Sequence, residues 1–192
     1  YPVGYQEGLK YPLLLRIHGG PVSQFRHSFS FEAQLFAAHG YAVIQTNPRG
    51  SSGYGQDFSA QLWADWGNKD FEDVIAGVDY VIDRGIADPD RLGVGGWSYG
   101  GILTNYVITK SERFKGAITG ASEVLYVANY GHDHYQRVWE AELGLPWEDE
   151  ARKKWEQLSP FNDVEKVTTP TLIMGGEQDW NVPILNSEQL YQ

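Results

Sequence analysis

The chain contains no cysteine. That excludes disulfides, thiolate metal sites and a cysteine nucleophile, and it leaves the compartment undetermined. It has little positive charge: 15 Lys and Arg stand against 25 Asp and Glu, a net charge of −10. An acidic balance of this size argues against nucleic acid and anionic membrane surfaces as partners. No apolar run approaches the ~18 residues that a membrane-spanning helix needs, and no signal peptide is visible. Internal repeats and low-complexity linkers are also missing.

What is present is a globular composition. Hydrophobic residues make up 42% of 192 positions and aromatics 14%, with Trp 7 and Tyr 12. This is enough chain for a single domain, residues 1–192, with a sizeable core. Core and loop packing accounts for the aromatics. An aromatic-lined substrate cleft is the second account.

Short apolar runs alternate with helical patterns. Tyr11–Ile17, Tyr41–Thr46, Arg91–Gly95, Phe114–Thr119 and Pro170–Met174 read as strands buried on both faces. Phe31–His39 fits a helix with Phe31, Leu35 and Phe36 on one face. Asp70–Arg84 is the strongest helix: Phe71, Val74, Ile75, Val78, Val81 and Ile82 recur at helical spacing. Residues 101–110 form another, and a further one begins at Val182. Residues 121–160 are irregular, with helical pieces at His134–Leu143 and Glu148–Leu158. The alternation predicts an α/β fold: a mostly parallel sheet with helices on both faces.

Chemistry-bearing residues fall where such sheets gather them, at the carboxyl ends of strands. Gly96-Trp97-Ser98-Tyr99-Gly100 is a G-x-S-x-G pentapeptide between a strand and a helix. That context presents a serine hydroxyl at a sharp turn and at a helix N-terminus. Serine is a poor nucleophile without a base to take its proton and donors to hold the oxyanion. The N–H of Tyr99 is one natural donor. Gly19-Gly20, in the loop after the first strand, offers the second. Asp179 follows the last strand and fits the acid in the order Ser, Asp, His. It also reads as a turn aspartate capping the next helix.

The base is the missing piece. Element lengths place it roughly 25–35 residues after Asp179. Only 13 residues follow Asp179, and all five histidines (18, 27, 39, 132 and 134) precede it. The His132-Asp133-His134 triplet reads as a solvated loop. Two histidines at i, i+2 are weak evidence for a metal, so no metal or other cofactor is expected. His18 is expected to order the glycine loop by hydrogen bonding. Asn47–Gly55 lacks the Gly-Lys-Ser/Thr ending of a phosphate-binding loop.

The chain resembles the catalytic domain of the prolyl oligopeptidase family of serine peptidases, nearest its acylaminoacyl-peptidase-like and dipeptidyl-peptidase-IV-like members. The resemblance rests on His18-Gly-Gly-Pro21, Asn47-Pro-Arg-Gly-Ser-Ser-Gly-Tyr-Gly55, Gly95-Gly-Trp-Ser-Tyr-Gly-Gly101 and Asp179-Trp-Asn-Val-Pro183. It implies an α/β-hydrolase fold lacking its last strand and helix. It implies Ser98 as nucleophile, Asp179 as triad acid, and the N–H groups of Tyr99 and Gly20 as oxyanion donors. Asn181 matches a substrate-carbonyl contact, and Tyr99 and Val182 match walls of the pocket for the residue before the scissile bond. The implied partner is a short peptide, with homo-oligomerisation left open. The family's histidine is expected beyond Gln192, which leaves these residues poorly active alone. The family's N-terminal β-propeller has no counterpart among them. Carboxylesterase of the same fold is the rival activity. A binding or assembly module, pairing through a sheet edge near Leu172 and Ile173, is the rival class.

Overall fold

The computed structural model describes all residues, Tyr1–Gln192. Five strands form one parallel sheet: β1 (Tyr11–Ile17), β2 (Ala42–Gln45), β3 (Ala87–Trp97), β4 (Phe114–Gly120) and β5 (Thr171–Met174). Their spatial order is β2-β1-β3-β4-β5, with Leu15 beside Ile44 and Val94, and Ile118 beside Leu172. The chain steps from β1 outward to β2, then returns to place β3 on the other side of β1. The loops leaving β1 and β3 therefore part at a switch point, where crevices form in open α/β sheets.

Seven helices connect the strands: α1 (Phe31–Ala38), α2 (Gln56–Ser59), α3 (Lys69–Asp83), α4 (Tyr99–Lys110), α5 (Gln136–Leu143), α6 (Asp149–Gln157) and α7 (Ile184–Tyr191). The strands have two unlike faces. Leu13, Leu15, Ile17, Leu92, Val94, Ala117 and Thr119 are buried on the side of α3 and α4. On α3, Val74 and Val78 are fully buried, with Phe71, Ile75, Val81 and Ile82 packed round them. This is the stripe the helical spacing predicts. Every residue of α4 from Tyr99 to Thr109 is buried, as expected of a helix without a polar face.

The opposite face carries α1, tied down where Arg16 of β1 pairs with Glu32 at 2.7 Å. The expected apolar side of α1 is largely outward: Phe31 is 72% exposed, and only Ala37 is buried. Along this face Leu14, Ile118 and Leu172 line an open groove, and Leu172 on the edge strand β5 is 54% exposed.

Two boundaries differ from the sequence reading. Residues 88–90, ahead of the expected strand Arg91–Gly95, are drawn into β3, because Tyr11 already pairs with Ala87. The register slips between Tyr11 and Leu13 to absorb it. The helix after Ser98 begins at Tyr99 rather than Gly101, so the serine abuts the first turn directly.

Candidate active site

Ser98 sits between β3 and α4 with φ 58° and ψ −126°, one of three non-glycine residues at positive φ. This conformation is sparsely populated and costs about 1–3 kcal/mol. Neighbouring hydrogen bonds impose it. The Ser98 N–H donates to Gly120 O at the end of β4 (2.9 Å), and Ser98 O accepts the first helical bond from Ile102 N (3.0 Å). The flanking glycines answer a steric demand. A Cβ on Gly100 would lie 2.3 Å from Ile17 O, and one on Gly96 would lie 2.3 Å from the Gly100 carbonyl. The turn closes only because neither side chain exists.

The loop after β1 lies against this turn. A Cβ on Gly19 would stand 3.3 Å from Trp97 O and 3.6 Å from Ser98 Cβ. Gly20 has φ +129°, a region that L side chains rarely adopt. Beneath the loop, His18 is buried, with Nδ1 2.7 Å from Gly19 O and Nε2 2.9 Å from Ser51 Oγ. A carbonyl only accepts, so Nδ1 carries the proton. Burial lowers the His18 pKa and favours the neutral ring, whose Nε2 lies against the Ser51 hydroxyl, itself a donor to Pro48 O at 2.7 Å. His18 thus orders the glycine loop, as its position suggested, and both its nitrogens are committed.

The Asn47–Gly55 segment is a brace. The Asn47 side chain accepts from Phe25 N (2.7 Å) and donates to Phe25 O and the Tyr54 hydroxyl. The Arg49 Nε donates to both Asp73 oxygens (3.0 and 2.8 Å), and its Nη2 donates to Glu72 and Lys69 O. These bonds tie the loops beyond β1 and β2 to the first turns of α3.

Tyr99 opens α4, so its N–H has no partner within the helix and lies one residue beyond the serine. Its ring runs inward, edge-on to Trp66 at 5.4 Å, and its hydroxyl donates to Asp70 Oδ2 at 2.8 Å. Burial pushes the Asp70 carboxyl up to about 6, with the Tyr99 hydroxyl and backbone N–H groups partly offsetting it.

Beside Ser98 opens a cavity of about 250 Å³. Gly20, Ser98, Tyr99 and Val182 all border it. Four of the six expected site residues thus meet at one place. The other two, Asp179 and Asn181, stand outside its walls, on the turn that follows β5. Asp179 Oδ1 accepts from Asn181 N (2.8 Å) and Val182 N (2.9 Å). Oδ2 has no protein partner, and the residue is half-buried. Asp179 thus closes its own turn and does not cap α7, whose N-cap Pro183 receives no side-chain hydrogen bond, and one carboxylate oxygen is left free. Asn181 is exposed.

The rest of the cavity comes from residues that the motifs do not mark. Trp63, Trp66, Tyr135, Val138 and Trp139 supply its apolar wall, and Glu123 and Glu142 its only charged groups. Glu142 Oε1 accepts from Ala64 N and Trp66 Nε1, both at 2.7 Å, while burial raises its pKa. The packing account of the tryptophans holds for Trp66, Trp139 and Trp155, all buried in the core, while Trp63, Trp66 and Trp139 also line the cavity. His132 is exposed, its ring edge-on to Trp180 at 6.0 Å, with no hydrogen bond to Ser98 or Asp179.

A parallel sheet with a strained serine turn between strand and helix defines a class, the α/β-hydrolase fold. Within that class the chain belongs to the prolyl oligopeptidase family, whose profile matches residues 27–192. It is 43% identical over 185 residues to the "Uncharacterized peptidase YuxL" of Bacillus subtilis, covering 94% of this chain and 28% of that protein. It is 36% identical to the acylamino-acid-releasing enzyme of Arabidopsis thaliana, covering 93% of this chain and 24% of that protein. The Pyrococcus horikoshii acylaminoacyl peptidase superposes with a TM-score of 0.89 at 30% identity, over 99% of this chain and 31% of that one. The chain thus spans between a quarter and a third of the length of these relatives.

Proposed function

We propose that the whole protein hydrolyses peptide bonds, in short peptides, through an acyl-enzyme on Ser98. The observation that carries this reading is the convergence on one cavity of Ser98, the Tyr99 and Gly20 backbone and Val182. Each step has a named group. The Ser98 hydroxyl attacks the scissile carbonyl. The N–H groups of Tyr99 and Gly20 receive the charge that builds on its oxygen, a contribution of roughly 3–4 kcal/mol per donor in serine hydrolases. The cavity takes the side chain before the scissile bond, with Tyr99 and Val182 as walls. Asn181, exposed on the turn beyond Asp179, is assigned a contact with a substrate carbonyl.

Asp179 Oδ2 is the free oxygen that orients a base. None of the five histidines bonds to it. His18 is neutral and engaged, and His132 packs on Trp180. The base is therefore assigned to a part of the protein beyond these residues, and the 192 residues alone turn over little substrate.

Exposure of the whole protein to a fluorophosphonate, followed by peptide mapping, tests the assignment. Label is expected on Ser98 and on no residue of Ser98→Ala, with peptide-anilide turnover falling by roughly 10⁴-fold or more in that variant. Label elsewhere, or turnover that survives the substitution, sinks the reading. Comparing a peptide anilide with a short acyl ester separates peptidase from carboxylesterase.

A further inference from the structure

The cavity beside Ser98 has a feature that an apolar pocket has no use for. Glu123 is 2% exposed and borders the cavity; its Oε2 makes no hydrogen bond of good geometry, and the polar side chain nearest in effect is Asn129, whose Nδ2 is likewise unpartnered. Isolated buried carboxyls are costly, so an unpartnered one calls for a ligand that would complete it.

Its backbone is held firmly. Asn105 Nδ2 donates to Glu123 O (3.0 Å) and Ser122 Oγ (3.2 Å), and Asn186 Oδ1 accepts from Val124 N and Leu125 N (both 2.8 Å). The carboxyl is thus carried on a segment that two helices, α4 and α7, pin. Glu142 is the second acid on the cavity wall, and no Lys, Arg or His lines it. The remaining surface is aromatic, with Trp66, Trp139 and Tyr135 presenting rings. Apolar sides, aromatic faces and carboxyls without a resident cation are the ingredients of a site for an organic cation.

We propose that this cavity is a cation-selective specificity pocket, in which Glu123 receives the ammonium or guanidinium end of a lysine or arginine preceding the scissile bond. The methylene stem lies along Trp66 and Trp139, and the charged end reaches the unpartnered Oε2. The substrate part of this assignment rests on the peptidase reading. The cation preference of the cavity does not.

Two measurements on the full-length protein keep these apart. The first is calorimetric binding of n-pentylammonium against 1-pentanol, probes of matched length that differ in charge. The ammonium is expected to bind at least tenfold more tightly, and Glu123→Gln, which keeps the shape, is expected to erase the difference. Equal binding of the two probes, or a preference that survives Glu123→Gln, overturns the pocket. The second is kcat/KM for peptide anilides with lysine or norleucine before the scissile bond. Lysine is expected to lead by at least tenfold, with Glu123→Gln lowering the lysine substrate tenfold and leaving norleucine within about twofold. A norleucine preference, or an equal loss on both substrates, overturns the specificity role and assigns Glu123 to structure. If Ser98 takes no fluorophosphonate label, the peptidase reading falls, while the pentylammonium preference still decides the cavity.

Discussion

Tyr99 serves three purposes from one position. Its N–H opens α4 without a partner in the helix, its ring borders the cavity, and its hydroxyl satisfies Asp70. Removing the hydroxyl leaves Asp70 Oδ2 buried without a donor, which costs about 1–3 kcal/mol. Tyr99→Phe should therefore lower the urea midpoint of unfolding while leaving fluorophosphonate labelling of Ser98 within a few-fold. A loss of labelling without a loss of stability would show that the hydroxyl acts on the reaction instead. The serine turn, the glycine loop and the aspartate turn were legible because motif chemistry demands fixed residue types at fixed spacing. Asp70 was read only as the first residue of the helix Asp70–Arg84. Its partner lies 29 positions away, and no local pattern encodes that distance.

At the scale of elements, the strand-turn-helix at 87–110 is fixed by absent side chains as much as by present ones. Gly100→Ala would drive a Cβ into the backbone oxygen of β1 at 2.3 Å. Backbone cannot rotate away as a side chain can, so a loss of 3 kcal/mol or more, or failure to fold, is expected. Gly116 in β4 is the control. A Cβ there meets nothing within 4 Å, and its φ is not positive. Gly116→Ala should be neutral or stabilise by about 0.5–1 kcal/mol through the unfolded chain. Thermal unfolding of the two variants side by side checks the contrast, and equal effects would refute it. Periodicity found α3 and all five strands because burial repeats along them. It misjudged α1, whose Phe31 and Leu35 point outward, since spacing shows that a face exists and not what covers it.

For the molecule as a whole, the buried acids set a pH dependence. Burial raises Asp70 from 3.8 to about 6 and Glu123 from 4.5 to about 8. The charged group that acts on Glu123 is Asp133, which raises it further, while the Asn129 side chain lowers it, and no cation offsets the burial. With a folded pKa above the unfolded one, the folded state holds the extra proton between those values. Stability is then greatest below about pH 5 for these two groups and falls as pH rises to about 8, by roughly 3–5 kcal/mol for Glu123 as an upper bound. The urea midpoint should drop from pH 5 to pH 8. Glu123→Gln should flatten that slope, with its advantage over the parent growing as pH rises. A midpoint that climbs with pH would refute the assignment. Bound pentylammonium, by favouring the ionised carboxyl, should bind more tightly as pH rises from 7 to 8.

By itself the sequence determined the alternation of strand and helix, the serine on its turn, the glycine loop and the aspartate that follows the last strand. Apolar periodicity and steric demand act over a few residues and leave a mark in the order of the letters. Only the tertiary structure decided which residues share the cavity. It joined Trp66 between α2 and α3, Glu123 after β4, and Trp139 and Glu142 on α5 to Ser98. It also left one carboxylate oxygen there unpartnered. Those contacts depend on how the 121–160 segment folds back over the strand ends, a long-range matter of packing that no local spacing records.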